Sequence, residues 1–137
     1  MQDRPTVEQL LEAVASFLRD HVVSATQEPI AFHARVAANA LDIARRELTL
    51  APAADVRERV ALSALLQAEP QSDVLALNRM LCEHIARDQI DLQTPGLADA
   101  LWRITLDKLA IDQPSYGTYS RITGQSPLID EPGASRR

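Results

Sequence analysis

Apolar residues recur along most of the chain at the three- and four-residue spacing of amphipathic helices, and this pattern predicts five α-helices. Their predicted ranges are 6–25, 29–50, 55–69, 72–89 and 95–113. Thr6 and Gln9 have the spacing of a capping box at the start of the first helix. No polar–apolar alternation of useful length competes with these helices, so the sequence predicts an all-α fold.

The connections between the predicted helices are short, which favours antiparallel packing of neighbouring helices. The helical period ends at Pro114, and the residues after it contain three of the four glycines. We therefore expect a single compact bundle of about five helices over 1–113. An extended or mobile C-terminal tail is expected over 114–137.

The second predicted helix is apolar around more than half of its circumference, as a central helix touched by several neighbours would be. The core is therefore predicted to surround this helix. His33 lies near the middle of the apolar arc and is predicted to be buried and hydrogen-bonded, whereas Arg35, Asp42 and Arg46 are predicted to face water. On the first helix, His21 falls inside the apolar stripe in the same way.

Polar residues also interrupt the apolar faces of the fourth and fifth helices. Asn78 lies at the centre of one, and Lys108 and Asp112 lie inside the other at the i, i+4 spacing of an ion pair. At least one of this pair is predicted to be shielded from water. Tyr116, just beyond the chain reversal at 113–114, is placed to return over the pair and supply a hydroxyl.

These residues define a candidate polar cluster, for which a structural and a functional interpretation both stand. Its members are His21, His33, Asn78, Lys108, Asp112 and Tyr116. In the structural interpretation, which the commonness of structural ion pairs favours, each residue is bonded to a neighbour. In the functional interpretation, the same residues line a small-molecule pocket.

Sequence motifs give no support for a catalytic, metal or cofactor site. Neither HxxxH nor HExxH spacing occurs, and the glycine-rich phosphate and dinucleotide motifs are absent from the sequence. The single cysteine, Cys82, falls on an apolar stripe and is interpreted as a small core residue. We therefore expect no metal and no cofactor, and we assign no catalytic residue.

Net charge and hydropathy argue against nucleic acids and membranes as binding partners. The 19 acidic residues exceed the 14 basic ones, giving a net charge of −5, which disfavours a nucleic-acid-binding role. No stretch approaches the roughly 20 apolar residues of a membrane span, and the first residues do not resemble a secretory leader. The expected compartment is the cytoplasm.

Four stretches of the chain together resemble a known family. They are RPTVEQLLEAVASFL at 4–18, FHARVAANALDIARREL at 32–48, LNRMLCEHIARDQID at 77–91 and LWRITLDKLAIDQPSY at 101–116. They resemble small bacterial all-helical proteins catalogued as domain of unknown function 6285. Genes of that family tend to lie beside aminoglycoside-phosphotransferase-like kinases and acyl-CoA dehydrogenases, which implies an accessory role in acyl-CoA or hydroxy-acyl catabolism. The resemblance supplies no catalytic residue.

Three functional hypotheses remain. The first, which the sequence favours, is a non-catalytic accessory protein that docks onto a kinase-like enzyme or an acyl-CoA dehydrogenase. The second is a small-molecule-binding bundle, or a weak enzyme, whose pocket is lined by the polar cluster. The third is a homodimeric structural protein, which needs only an exposed apolar helix face.

Overall fold

The computed structural model describes residues 4–69 and 73–124, and these residues form helices joined by short connections, with no strand among them. The prediction of an all-α fold is therefore confirmed. The α-helices are α1 (Val7–Phe17), α2 (Val23–Ala25), α3 (Ile30–Leu66), α4 (Val74–Ala86), α5 (Leu97–Asp112) and α6 (Gly117–Thr123).

The first predicted helix is confirmed, together with its cap. Thr6 Oγ1 accepts from the Gln9 backbone N–H at 3.3 Å, and Gln9 Oε1 accepts from the Thr6 N–H at 2.9 Å. The two bonds satisfy amides that have no partner inside the first turn. A π-helical segment, Leu18–Val22, carries α1 directly into α2, so the helical path ends at Ala25 as predicted.

The predicted break between the second and third helices is wrong, because α3 runs through it without interruption. The 37 residues of α3 include Pro52, which has no N–H to donate to the carbonyl one turn earlier. Pro52 is exposed, and α5 is bonded to α3 on both sides of it, from Ile111 to Arg46 before the proline and from Asp107 to Arg57 after it. Packing against α5 on both sides of Pro52 offsets the lost hydrogen bond, so the helix continues for about 55 Å.

The other long helices, α1, α4 and α5, all pack against α3. Ion pairs from Glu8 to Arg45 and from Arg19 to Asp42 show that α1 runs antiparallel to its first half. Helices α4 and α5 pack against its second half. The main apolar core lies in that second half, formed by Leu62, Leu66, Leu77, Leu81, Ile90, Leu97 and Ile104. The prediction that the core surrounds residues 29–50 is therefore wrong.

The N-terminal hairpin, residues 7–50, is held together by small side chains. Between residues 4 and 50 the buried residues are Ala15, Ala31, Ala34 and Ala38. Alanines let two helix backbones approach closely, but they leave no room for larger side chains between the helices. The large apolar residues of α1 and of the first half of α3 consequently point outward, which is why the sequence alone misplaced the core.

The segment after Pro114 begins differently from the prediction. Residues Gly117–Thr123 form the short helix α6, with Tyr119 and Ser120 buried, although no helical period was recognised there. The rest of the predicted tail, 125–137, lies outside the described residues. Within the described part of the chain, none of the helices has the length and apolar character needed to cross a bilayer.

Candidate functional site

Lys108 and Asp112 lie on the rim of a cleft between α3 and α5. The cleft has a volume of about 140 Å³, and three carboxylate residues of α3, Glu47, Asp55 and Glu58, also line it. We call it the acidic cleft. Both Lys108 and Asp112 are exposed, and in the described residues they form no ion pair with each other. The predicted shielding of this pair is therefore wrong.

The exposure of the pair follows from the way α5 packs. The buried residues of α5 form one narrow stripe, Leu97, Ala100, Ile104 and Ile111, which faces α3. Side chains one step around the helix from that stripe reach water, because a single neighbouring helix covers only part of the circumference. The apolar side that the sequence pattern predicts for α5 is therefore wider than the face of α5 that is buried in the structure.

A bidentate ion pair joins α3 and α5 beside the acidic cleft. Arg57 Nη2 donates to Asp107 Oδ1 at 2.7 Å, and Arg57 Nε donates to Asp107 Oδ2 at 3.0 Å. The carboxylate hydrogen bond raises the pKa of the Arg57 guanidinium above its ordinary value. The pair fixes the register of the two helices through two parallel bonds. Its partners are 50 residues apart, so no local sequence signal identifies it.

Asn78 reaches the acidic cleft through Glu58. The half-buried Asn78 amide donates to Glu58 Oε1 at 2.6 Å and to the Val74 carbonyl at 3.0 Å. The first bond ties α4 to α3, and the second lies within α4. The structure thus gives Asn78 bonded neighbours while leaving the Glu58 carboxylate at the wall of the cleft.

A second cleft, about 470 Å³ in volume, contains Asp112 and Tyr116 together with Asn39 and Arg46. We call it the C-terminal cleft, because it surrounds the end of α5. Arg46 Nε donates to the Ile111 carbonyl at 2.5 Å, and so satisfies a carbonyl in the last turn of α5 that has no partner within the helix. Arg46 is half-buried rather than facing water as predicted.

The two histidines lie apart from both clefts, on the N-terminal hairpin. His21 is exposed, with its ring 5.6 Å from that of Phe17, and His33 is exposed, with its ring 5.6 Å from that of Phe32. The prediction that His33 is buried is wrong, because the α3 arc on which it lies has no helix over it. Cys82 is likewise exposed rather than in the core.

The candidate polar cluster therefore divides into two groups. Lys108 and Asp112 line the acidic cleft, Asp112 and Tyr116 line the C-terminal cleft, and Asn78 bonds to Glu58 of the acidic cleft, while His21 and His33 lie on the hairpin. Across residues 4–69 and 73–124, no group of three or more His, Cys, Asp or Glu side chains has the arrangement of a metal site.

An apolar groove on the other side of the α3–α5 contact was not predicted from the sequence. Its volume is about 360 Å³, and the Arg57–Asp107 pair lies at its edge. Small side chains of both helices form its floor, and Val56 and Val60 of α3 form a wall that is more than half exposed. The alanines and valines in this part of α3 do not distinguish a groove from a packed contact.

A further apolar surface lies on α3, on the side opposite α1. Phe32 and Val36 are 53% and 50% exposed, one turn apart, and Ile43 continues their line. We call these three residues the outer face of α3. Large side chains that stay half exposed on one stripe mark a surface suited to another protein.

Glu28 organises the beginning of this surface. Its Oε2 accepts from the Phe32 backbone N–H at 2.9 Å, and its Oε1 accepts from the Arg35 guanidinium. The hydrogen bond from Arg35 is the main reason why the pKa of the Glu28 carboxyl lies below its ordinary value, and the Phe32 N–H acts in the same direction. The first turn of α3 is thereby fixed beside an ion pair.

Comparison with known proteins gives one match. Residues 24–116 match the family described as Domain of unknown function (DUF6285), which covers α3, α4 and α5. No curated protein matches the chain, and no solved structure matches it.

Proposed function

This chain belongs to the domain of unknown function 6285 family, and we propose that it is a cytoplasmic, non-catalytic accessory protein that docks onto a partner enzyme. The observation that carries the proposal is the outer face of α3, where Phe32 and Val36 stay half exposed. The class of partner, a kinase-like phosphotransferase or an acyl-CoA dehydrogenase, comes from the resemblance noted in the sequence.

The chemistry of the outer face supports docking onto a protein groove. Phe32, Val36 and Ile43 have the i, i+4, i+11 spacing of one helix stripe, which is how a helix presents anchors to an apolar groove. The exposed Arg35–Glu28 ion pair lies beside the stripe. An apolar centre with a charged border is the usual composition of an interface between proteins that also exist separately.

The proposal is tested by capture from the native host followed by reconstitution. The tagged chain is expected to retain a phosphotransferase-like or acyl-CoA dehydrogenase enzyme, identified by mass spectrometry and then produced separately. Binding of the two purified proteins is expected to weaken by at least about tenfold in Val36→Glu, because the new carboxylate would be buried without a partner.

Val60→Glu on the same helix is the matched control. Val60 is 65% exposed but lies at the apolar groove between α3 and α5, away from the outer face. We expect it to bind the partner normally. Loss of binding in Val60→Glu with normal binding in Val36→Glu would contradict the outer face as the docking surface. Failure to retain either class of enzyme would contradict the choice of partner.

The C-terminal cleft supports a second candidate function, the binding of a small molecule. It brings four polar residues, Asp112, Tyr116, Asn39 and Arg46, around one open volume. Native mass spectrometry of the chain purified from its host tests this function. A bound mass that disappears in Asp112→Asn would favour ligand binding, whereas a chain with no added mass would count against it.

A further inference from the structure

The N-terminal hairpin has its small side chains inside and its large ones outside. Its buried residues are alanines, while Val7, Leu10, Val14 and Phe17 on α1 are 48–55% exposed. We infer that two copies of this chain pair through one face of the hairpin and form an antiparallel four-helix bundle. This inference goes beyond the proposed function, because it uses a different surface and requires no other protein.

The exposed residues of α1 have the spacing of a helix-pairing seam. Val7, Leu10, Val14 and Phe17 follow one another at intervals of three, four and three residues, which is the a and d pattern of a heptad repeat. Helix α1 is regular over this whole stretch. Ala15, on another side of the helix, is the residue buried against α3. The seam is therefore available to a helix other than α3.

Helix α3 extends the seam on the same side of the hairpin. Advancing 100° per residue along two antiparallel right-handed helices places Ile30 and Leu48 on the same side as the α1 seam. They are 59% and 56% exposed. The Arg19–Asp42 ion pair lies on the opposite side. We call Val7, Leu10, Val14, Phe17, Ile30 and Leu48 the hairpin face.

The order of side chains along α1 fits an antiparallel second copy. A two-fold axis at the level of residue 12 would place Val7 opposite Phe17 of the other copy, and Leu10 opposite Val14. Each layer then combines a larger side chain with a smaller one, which keeps the distance between the helices even. A parallel pair would stack Phe17 on Phe17 and Val7 on Val7, and the helices would diverge towards one end.

The same axis also matches the side chains of α3. If it passes α3 between residues 42 and 43, Leu41 lies opposite Ala44 of the other copy, and Ala37 lies opposite Leu48. Large residues again meet small ones. The Glu8–Arg45 and Arg19–Asp42 contacts together place residue 12 of α1 opposite the stretch 41–49 of α3, a range that includes the level of this axis. This agreement between two separate seams favours a second copy over an unrelated partner.

Charge and area are compatible with a dimer. None of the six residues of the hairpin face is charged; with the axis between residues 42 and 43, Ile30 lies opposite Asp55 of the other copy, and the remaining face residues meet apolar ones. Their exposed surface amounts to on the order of 500 Å², which is the size of a large apolar patch and a major part of the roughly 800 Å² per partner in a standard interface.

The mass of the full chain in solution tests the pairing. At about 100 µM, where a dimer of micromolar affinity is filled, sedimentation velocity should give twice the 15.1 kDa of the chain. Leu10→Glu should weaken pairing by at least about 100-fold, because two carboxylates would be buried against apolar side chains. Leu75→Glu, at a 58% exposed leucine of α4, is the matched control and should remain dimeric.

Mixing two charged variants tests the orientation. Leu10→Glu and Val14→Lys should each be monomeric and retain the wild-type helix signal in circular dichroism. An equimolar mixture should form a heterodimer, because the antiparallel seam places Glu opposite Lys in one layer and leaves Val14 opposite Leu10 in the other. A mixture that stays monomeric would overturn the antiparallel seam. A wild-type chain that stays monomeric would overturn the pairing while leaving enzyme capture to judge the docking proposal.

Discussion

Leu77 offers a quantitative test of which part of this molecule contributes most to its stability. Its side chain is fully buried in the core that α3, α4 and α5 share, whereas Leu75, two residues earlier on the same helix, is 58% exposed. The substitutions Leu77→Ala and Leu75→Ala remove the same atoms from the same helix. Helix propensity therefore cancels between them, and the difference that remains measures burial.

The expected difference follows from the burial of each side chain. Leu77→Ala removes about three methylene equivalents, worth roughly 0.8 kcal/mol each, and leaves a cavity, so we expect a loss of about 3 kcal/mol in the free energy of unfolding. Leu75→Ala should cost less than about 1 kcal/mol, because much of that side chain is already in water. For a chain of this length, the larger loss corresponds to a decrease of about 10 °C in Tm.

Urea unfolding followed by circular dichroism measures both losses. The two variants and the wild type must be compared at one protein concentration, since self-association would add the same stabilisation to all three. Equal losses in the two variants would refute the reasoning, because they would mean that Leu77 is no better buried than Leu75. So would a loss below about 1 kcal/mol for Leu77→Ala.

Three further predictions test the exposed polar groups. Lys108→Met and Asp112→Ala should each change the free energy of unfolding by less than about 0.5 kcal/mol, and a loss above 1 kcal/mol would show that the pair is shielded after all. Cys82 should react stoichiometrically with a thiol reagent in the folded protein, and protection until denaturant is added would contradict its exposure. The Glu28 carboxyl should titrate by NMR below its usual pKa and return towards it in Arg35→Gln. Because the Glu28 carboxyl has a lower pKa in the folded than in the unfolded protein, its ionised form stabilises the fold above the unfolded pKa, and this stabilisation is lost as the pH falls through the folded pKa. An unchanged Glu28 titration in Arg35→Gln would exclude Arg35 as the cause of the lowered pKa.

The sequence identified which polar residues interrupt the apolar faces of the helices, but not where those residues lie in the fold. Lys108 and Asp112, whose i, i+4 spacing predicted an ion pair, line one cleft without bonding to each other, and Asn78 bonds to Glu58 of that cleft. Their burial was not predictable, because hydrophobic periodicity shows which side of a helix is apolar but not how many neighbours cover it. Arg46 was expected to face water, but the end of α5 comes within reach and gives it a carbonyl partner.

Local sequence determined the helical class of this protein and the points at which most helices begin. The Thr6 capping box acts within four residues and needs no other element. Long-range packing decided that α3 continues past Pro52, since α5 is bonded to Arg46 before the proline and to Arg57 after it, which favours an unbroken helix. It also decided the position of the core, because alanines between α1 and α3 leave His33 and its apolar neighbours outside. A helix carries its own hydrogen bonds, but burial depends on which other helices reach it, and that information is spread over the whole chain.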